Sequence, residues 1–254
     1  MGIILKKVVS LIMLIGVMGV MLSYIKAGGG VGAGEIKVRE LSKLSKHIGS
    51  GTVALVSYDD NIGRNRVYCT GVWIESDMIL TASHCVSNVE EEKDEVSKGG
   101  EVHYVGSGED RGVGEEPAAV HLGKVVMNDK EHDIALIRAE AKGMVAHDVI
   151  WLARELPGSG ERVYIVGHVK GLWWSYIEGV VSGYRDELPG SGKVGPFIQI
   201  SAPIYYGNSG GGAFDIEGNL VGICSCSFGI KVPSTSFFID IRSIKKLIEN
   251  YKKL

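Results

Sequence analysis

Three short segments of this 254-residue sequence carry side chains that could do chemistry together. Thr81-Ala82-Ser83-His84-Cys85 offers an imidazole, His132-Asp133-Ile134 a carboxylate, and Gly207-Asn208-Ser209-Gly210-Gly211 a hydroxyl among glycines. A serine hydroxyl does not attack a carbonyl unaided at neutral pH. It needs a base to take its proton and a carboxylate to fix the tautomer of that base. Ser209, His84 and Asp133 match those three catalytic roles, and the reaction is acyl transfer to water. The glycines meet a second need. An oxyanion hole requires backbone N–H groups aimed at one point, on a turn whose angles glycine adopts at least cost. The expected donors are the N–H groups of Gly207 and Ser209. His132, next to Asp133, is read as a structural or exposed group.

Chain order narrows the fold. Gly-x-Ser-x-Gly also describes the nucleophile elbow of α/β-hydrolases, in which the histidine follows the serine. The seven histidines are His47, His84, His103, His121, His132, His147 and His168, so none follows Ser209. An order with the aspartate first would come with a βαβ pattern, which is absent.

The elements that must position these residues read as strands. Strand-like runs cover residues 52–58, 67–74, 78–81, 118–122, 133–138, 162–166, 174–181, 197–200, 220–224 and 236–239, separated by glycine-rich turns. Residues 243–251 read as an amphipathic helix with Ile244, Leu247 and Ile248 on one face. Many short strands ending in one helix predict an all-β double barrel with a C-terminal α-helix. Residues 88–117 are rich in acidic groups and are expected to form a solvated surface loop. The formal charge of −3 gives no sign of a nucleic-acid partner.

The N-terminus sets the compartment. Lys6 and Lys7 precede an uncharged apolar stretch, residues 8–25. Residues 1–27 therefore read as a signal peptide or a retained membrane anchor, with 8–25 as the tether in the second case. Residues 28–47 read as a linker, its charged run 35–46 as extended linker or short helix, and 48–254 as the working domain, outside the cytoplasm. In an oxidising space Cys69 and Cys85, 16 residues apart, can close a disulfide loop worth about 3 kcal/mol. Cys224 and Cys226 read as buried thiols. The cysteine spacings do not match usual zinc-ligand pairs, and neither a metal nor a cofactor is expected.

The block from Cys69 to Cys85 resembles the trypsin-like proteases, in which a cysteine begins a strand and the catalytic histidine is followed at once by its disulfide partner. The order His84, Asp133, Ser209 is that of the same chymotrypsin-like class. Ile200-Ser201-Ala202-Pro203-Ile204-Tyr205-Tyr206-Gly207-Asn208-Ser209-Gly210-Gly211 and Val180-Val181-Ser182-Gly183 are similar to the HtrA-like branch. The resemblance covers roughly residues 48–250. It implies two six-stranded antiparallel β-barrels and a serine endopeptidase that cuts protein or peptide substrates through an acyl-enzyme. It implies the Cys69–Cys85 bond as well. HtrA-like proteins usually carry PDZ domains after the barrels. This chain reads as one without a PDZ domain, so recruitment through one is not carried over. Digestive trypsin-like enzymes have an aspartate just before the nucleophile, paired with a newly cut N-terminus. Asn208 is neutral, and an oxyanion hole formed without proteolytic activation is expected. By the same resemblance Pro203 and Ile204 lie at the base of the substrate pocket, with Ser225, Cys226 and Ser227 on the opposite wall. Ser225 is expected to pair backbone to backbone with substrate. With no carboxylate at those positions, a small or medium apolar residue is expected at the cleaved position.

Overall fold

The computed structural model describes residues 31–87, 100–107, 115, 117–140, 148–188, 193–227 and 234–253. The chain divides into two compact units, Met1–Lys43 and Leu44–Leu254. The stretch 8–25, on which the signal or anchor reading rests, lies outside the described residues. None of the described helices is long and apolar enough to cross a membrane.

Helix α1 spans Val31–Ser50, so the charged run 35–46 is helical, the second of the two forms expected for it. Its last turns belong to the larger unit, where Leu44 and Ile48 are buried. The Thr52 hydroxyl donates to the Ile48 carbonyl at 2.7 Å and ties the helix end to the first strand.

The larger unit holds two closed antiparallel barrels of six strands each, as expected for the chymotrypsin-like fold. The first barrel is built from β1 (Thr52–Asp59), β2 (Arg64–Glu75), β3 (Met78–Thr81), β4 (Glu101–Val105), β5 (His121–Asp129) and β6 (Ile134–Ala139). Around the barrel their order is β1-β2-β3-β6-β5-β4. The second uses β7 (Arg162–Gly167), β8 (Ser175–Glu187), β9 (Val194–Ser201), β10 (Gly212–Phe214), β11 (Leu220–Ser227) and β12 (Thr235–Asp240), in the order β10-β11-β12-β9-β8-β7. Closure leaves no open sheet edge. Val53, Leu55, Trp73, Ile79, Tyr104 and Ile137 fill the first barrel. Val163, Ile165, Val181, Ile198, Ile200 and Phe238 fill the second, with Cys224 among them. Helix α2 (Ile241–Tyr251) follows β12 directly. The Asp240 carboxylate accepts the Arg242 N–H at 2.8 Å at its start, and Ile241, Ile244 and Leu247 are buried beneath it.

Two expectations need correction. The segment 88–117 is not all surface loop, because β4 lies inside it. Glu101 and His103 face outward while Val102, Tyr104 and Val105 are buried, and β4 pairs with β1 on one side and β5 on the other. Five residues inside an acid-rich run, two of them facing outward, bury too little to stand out, yet they close the barrel. The neighbouring strand also starts later than residue 118, running His121–Asp129.

Cys69 on β2 is bonded to Cys85 in the 3-10 turn Ser83–Cys85, with Cα atoms 6.0 Å apart. The bond fixes the turn that carries His84 to the barrel wall. Reducing it, or making the double variant Cys69→Ala with Cys85→Ala, is expected to lower unfolding stability by about 3 kcal/mol. A urea midpoint that does not move on reduction would contradict this.

Candidate active site

Ser209 sits on the loop between β9 and β10 of the second barrel, while His84 and Asp133 come from turns of the first. Asp133 lies in the tight turn between β5 and β6 with φ of 58°, a left-handed conformation that aspartate tolerates better than most residues. The hairpin is held by the Asp129 carboxylate, which accepts the His132 backbone N–H at 3.0 Å and faces its Nδ1 at 2.8 Å. His132 is thus structural, as expected.

Asp133 is only 2% exposed, and its carboxylate is surrounded by donors. Its Oδ1 accepts the His84 backbone N–H at 3.0 Å. His84 Nδ1 lies 2.9 Å from Oδ1 and 3.0 Å from Oδ2. The Ser225 hydroxyl donates to Oδ2 at 2.6 Å, and the Lys193 ammonium pairs with the same oxygen. Burial pushes the Asp133 carboxyl up, but the His84 hydrogen bond and charge, then Lys193 and Ser225, hold it down at about 2. An ionised carboxylate can only accept, so His84 carries its proton on Nδ1 and leaves Nε2 as an acceptor. His84 is otherwise exposed.

The Ser209 loop is fastened to both barrels. The Ser209 carbonyl accepts the Thr70 N–H at 2.8 Å and lies 3.6 Å from Cys85 Sγ, next to His84. Gly210 and Gly211 exchange backbone bonds with Cys224 on β11, both at 2.8 Å. Gly210 has φ of +77°, and a Cβ there would stand 2.3 Å from the Thr70 carbonyl. Gly207 has φ of +96°, and a Cβ there would stand 2.0 Å from the His168 carbonyl. Only glycine fits either position without moving the backbone.

The direction of the Gly207 peptide matters for its N–H. The Tyr206 carbonyl accepts the Lys170 N–H at 2.8 Å, so it faces the turn Val169–Gly171. In a trans peptide the following N–H points the opposite way. Among the described residues, neither the Gly207 nor the Ser209 N–H donates to a protein carbonyl. The Gly207 carbonyl in turn accepts the Thr70 hydroxyl at 2.6 Å. That hydroxyl has one proton, so it must accept from His168 Nδ1, 2.9 Å away. His168 is fully buried against the stacked pair Trp173 and Trp174, whose rings meet it edge-on. Burial lowers its pKa to about 3 and keeps it neutral. The paired tryptophans thus pack against His168, and Trp174 Nε1 also donates to the Gly49 carbonyl at 3.0 Å.

Asn208 is fully buried, and its side-chain oxygen and nitrogen have no hydrogen-bond partner among the described residues. Of the expected substrate contacts, Pro203 is exposed, whereas Ile204 is buried in the second barrel's core. A register shift between Cys224 and Cys226 takes Ser225 out of the ladder with β12. Cys226 and Ser227 continue β11, and their side chains lie outside the described residues. Lys193, Thr70 and His168 were not legible as site residues. Lys193 sits in a polar connection between strands, with no motif around it. Among the described residues the cluster of metal-ligating types is Cys69, His84 and Cys85, and the disulfide consumes both sulfurs.

The model of the trypsin-like peptidase domain matches residues 69–223. A probable periplasmic DegP-like serine endoprotease of Hahella chejuensis is 35% identical over 102 residues, covering 40% of this chain and 21% of its own length. The chain spans about a fifth to a third of the length of the curated relatives it matches. The active form of the Rv3671c protease from M. tuberculosis superposes with a TM-score of 0.61 at 17% identity, over 81% of this chain and 82% of that one. The HtrA-type protease AlgW with a tripeptide gives 0.64 at 18% identity, over 82% and 62%.

His168 makes a pH prediction with a definite sign. Its folded pKa of about 3 is below the unfolded value near 6.5. Between those values the unfolded chain binds the extra proton, so this contribution is full above about 6.5 and is lost as pH falls towards 3. From pH 7 to pH 5 the loss is about 2 kcal/mol. Urea titrations of the wild type and His168→Gln should show a flatter acid slope in the variant. Equal slopes would contradict the buried neutral assignment.

Proposed function

The chain belongs to the trypsin-like peptidase family, and from that premise we propose that it is an HtrA-like serine endopeptidase whose catalytic residues are Ser209, His84 and Asp133. The observation that carries the reading is the pairing of His84 Nδ1 with both oxygens of the ionised Asp133, which leaves Nε2 to act as base. Ser209 Oγ attacks the peptide carbonyl as Nε2 takes its proton. Charge gathers on the carbonyl oxygen, where the N–H groups of Gly207 and Ser209 receive it. The imidazolium, stabilised by Asp133, gives its proton to the leaving amine. Water activated by His84 then releases the acyl group from Ser209.

The hole in this reading is formed without a prior cut. Asn208 cannot form an ion pair with a new N-terminus, and the Lys170–Tyr206 bond turns the Gly207 N–H away from the Val169–Gly171 turn. The substrate strand lies along Ser225, Cys226 and Ser227, which the bulge at Ser225 leaves unladdered at that residue. Pro203, Ile204 and Ser225 carry no negative charge, which supports a small or medium apolar residue at the cleaved position. The Cys69–Cys85 bond and the periplasmic relatives support work outside the cytoplasm, with residues 1–27 as signal or anchor.

Hydrolysis of casein or a peptide library should fall by at least about 10³-fold in Ser209→Ala. Equal activity in the two proteins would refute the assignment. The wild-type library products should end mainly in small or medium apolar residues. Cleavage mainly after arginine would refute the pocket reading, and a chain inert until a defined cut would refute the preformed hole.

A further inference from the structure

The proposed mechanism uses Asp133 through His84 alone, but the structure puts a second cation on the same carboxylate. Lys193 lies just before β9, in the second barrel, and reaches the turn of the first. Its Nζ pairs with Asp133 Oδ2 and donates to the Ser225 hydroxyl at 2.8 Å. Ser225 passes that bond on to the same Oδ2 at 2.6 Å. The lysine side chain is about a quarter exposed and the carboxylate 3%, so the pair is largely shielded from water. The backbone next to it is anchored too, since the Val194 N–H donates to the Glu131 carbonyl at 3.3 Å.

We infer that Lys193 is a positioning residue that shares the Asp133 charge with His84 and so shifts the working range of the base to lower pH. The inference rests on the triad reading. In a triad with no third charge, the carboxylate's full charge stabilises the protonated imidazole. An ammonium on the far oxygen offsets part of that charge. Protonated His84 is then less favoured, and the neutral base persists to more acidic pH. The hairpin carries other charged groups as well. Asp129 and His132 engage each other at 2.8 Å, and Glu131 approaches through its backbone carbonyl. Lys130 follows Asp129 in the same turn and is solvent-exposed. From β11 the facing side chain is Ser225, which is uncharged. From the 3-10 turn it is His84 itself.

The same geometry gives Lys193 a mechanical role. It joins the β8–β9 connection of one barrel to the Asp133 turn of the other, beside the strand where substrate would lie. Removing it frees the charge and the tie together, so the test needs a readout specific to the charge.

That readout is the acid limb of kcat/KM against pH for the wild type, Lys193→Gln and Lys193→Arg. In Lys193→Gln the limb should move up by about one pH unit, with activity near pH 5.5 falling several-fold relative to activity at pH 8. Lys193→Arg should restore the wild-type limb, which a purely packing role would not require. Lys193→Ala serves as the uncharged variant if the glutamine protein does not fold. The second readout needs no peptidase activity. In the Ser209→Ala background, the NMR titration of His84 should move up by the same amount when Lys193 becomes Gln or Ala. If the wild type hydrolyses no peptide but the titration moves, the endopeptidase reading fails and the inference stands. If hydrolysis is found while limb and titration stay fixed in the uncharged variants, the inference is overturned.

Discussion

A single negative charge, on Asp133, is held where water scarcely reaches, and donors from both barrels converge on it. A buried carboxylate without partners takes up a proton instead of staying ionised. Here His84 supplies its backbone N–H and ring Nδ1 from the first barrel, while Ser225 and Lys193 arrive from the second. The charge therefore depends on how the two barrels meet. The tautomer of His84 depends on the charge, and any chemistry at Ser209 depends on that tautomer. The strained left-handed backbone of Asp133 is the local cost of presenting the carboxylate at this junction.

The hydroxyl side of the site is governed by crowding. Gly207 and Gly210 lie against carbonyl oxygens that a β-carbon would strike. Thr70 connects the parts. Its N–H holds the Ser209 carbonyl, its hydroxyl holds the Gly207 carbonyl, and His168 donates to that hydroxyl from behind. One residue after Cys69, Thr70 is also fixed by the disulfide that positions the His84 turn. The turn bearing His84 and the loop bearing Ser209 are thus referenced to the same short piece of β2.

Much of this could be read from residue types and order. His84 beside Cys85, the glycines around Ser209 and the absence of a later histidine led to the double barrel, which the strand topology bears out. The residues that were missed act at long range. Lys193 is 60 residues from Asp133, and His168 is 98 from Thr70. A lone lysine or histidine carries no local pattern, and only closure of the barrels brings each to its partner. Strand β4 was hidden for a different reason. It spans five residues in an acid-rich run, and its burial becomes evident only when β1 and β5 are in place on either side.

The central claim is that Ser209 is activated by His84 in the folded chain and has a hole ready to receive an oxyanion. A fluorophosphonate reagent mimics the tetrahedral intermediate and reacts only with a serine so prepared. Intact-mass analysis of the uncut protein after exposure should show one adduct per chain, mapped by peptide sequencing to Ser209. The adduct should be lost in His84→Ala and after unfolding in urea. No adduct on the folded chain, or an adduct that survives loss of His84 at the same rate, would contradict the account.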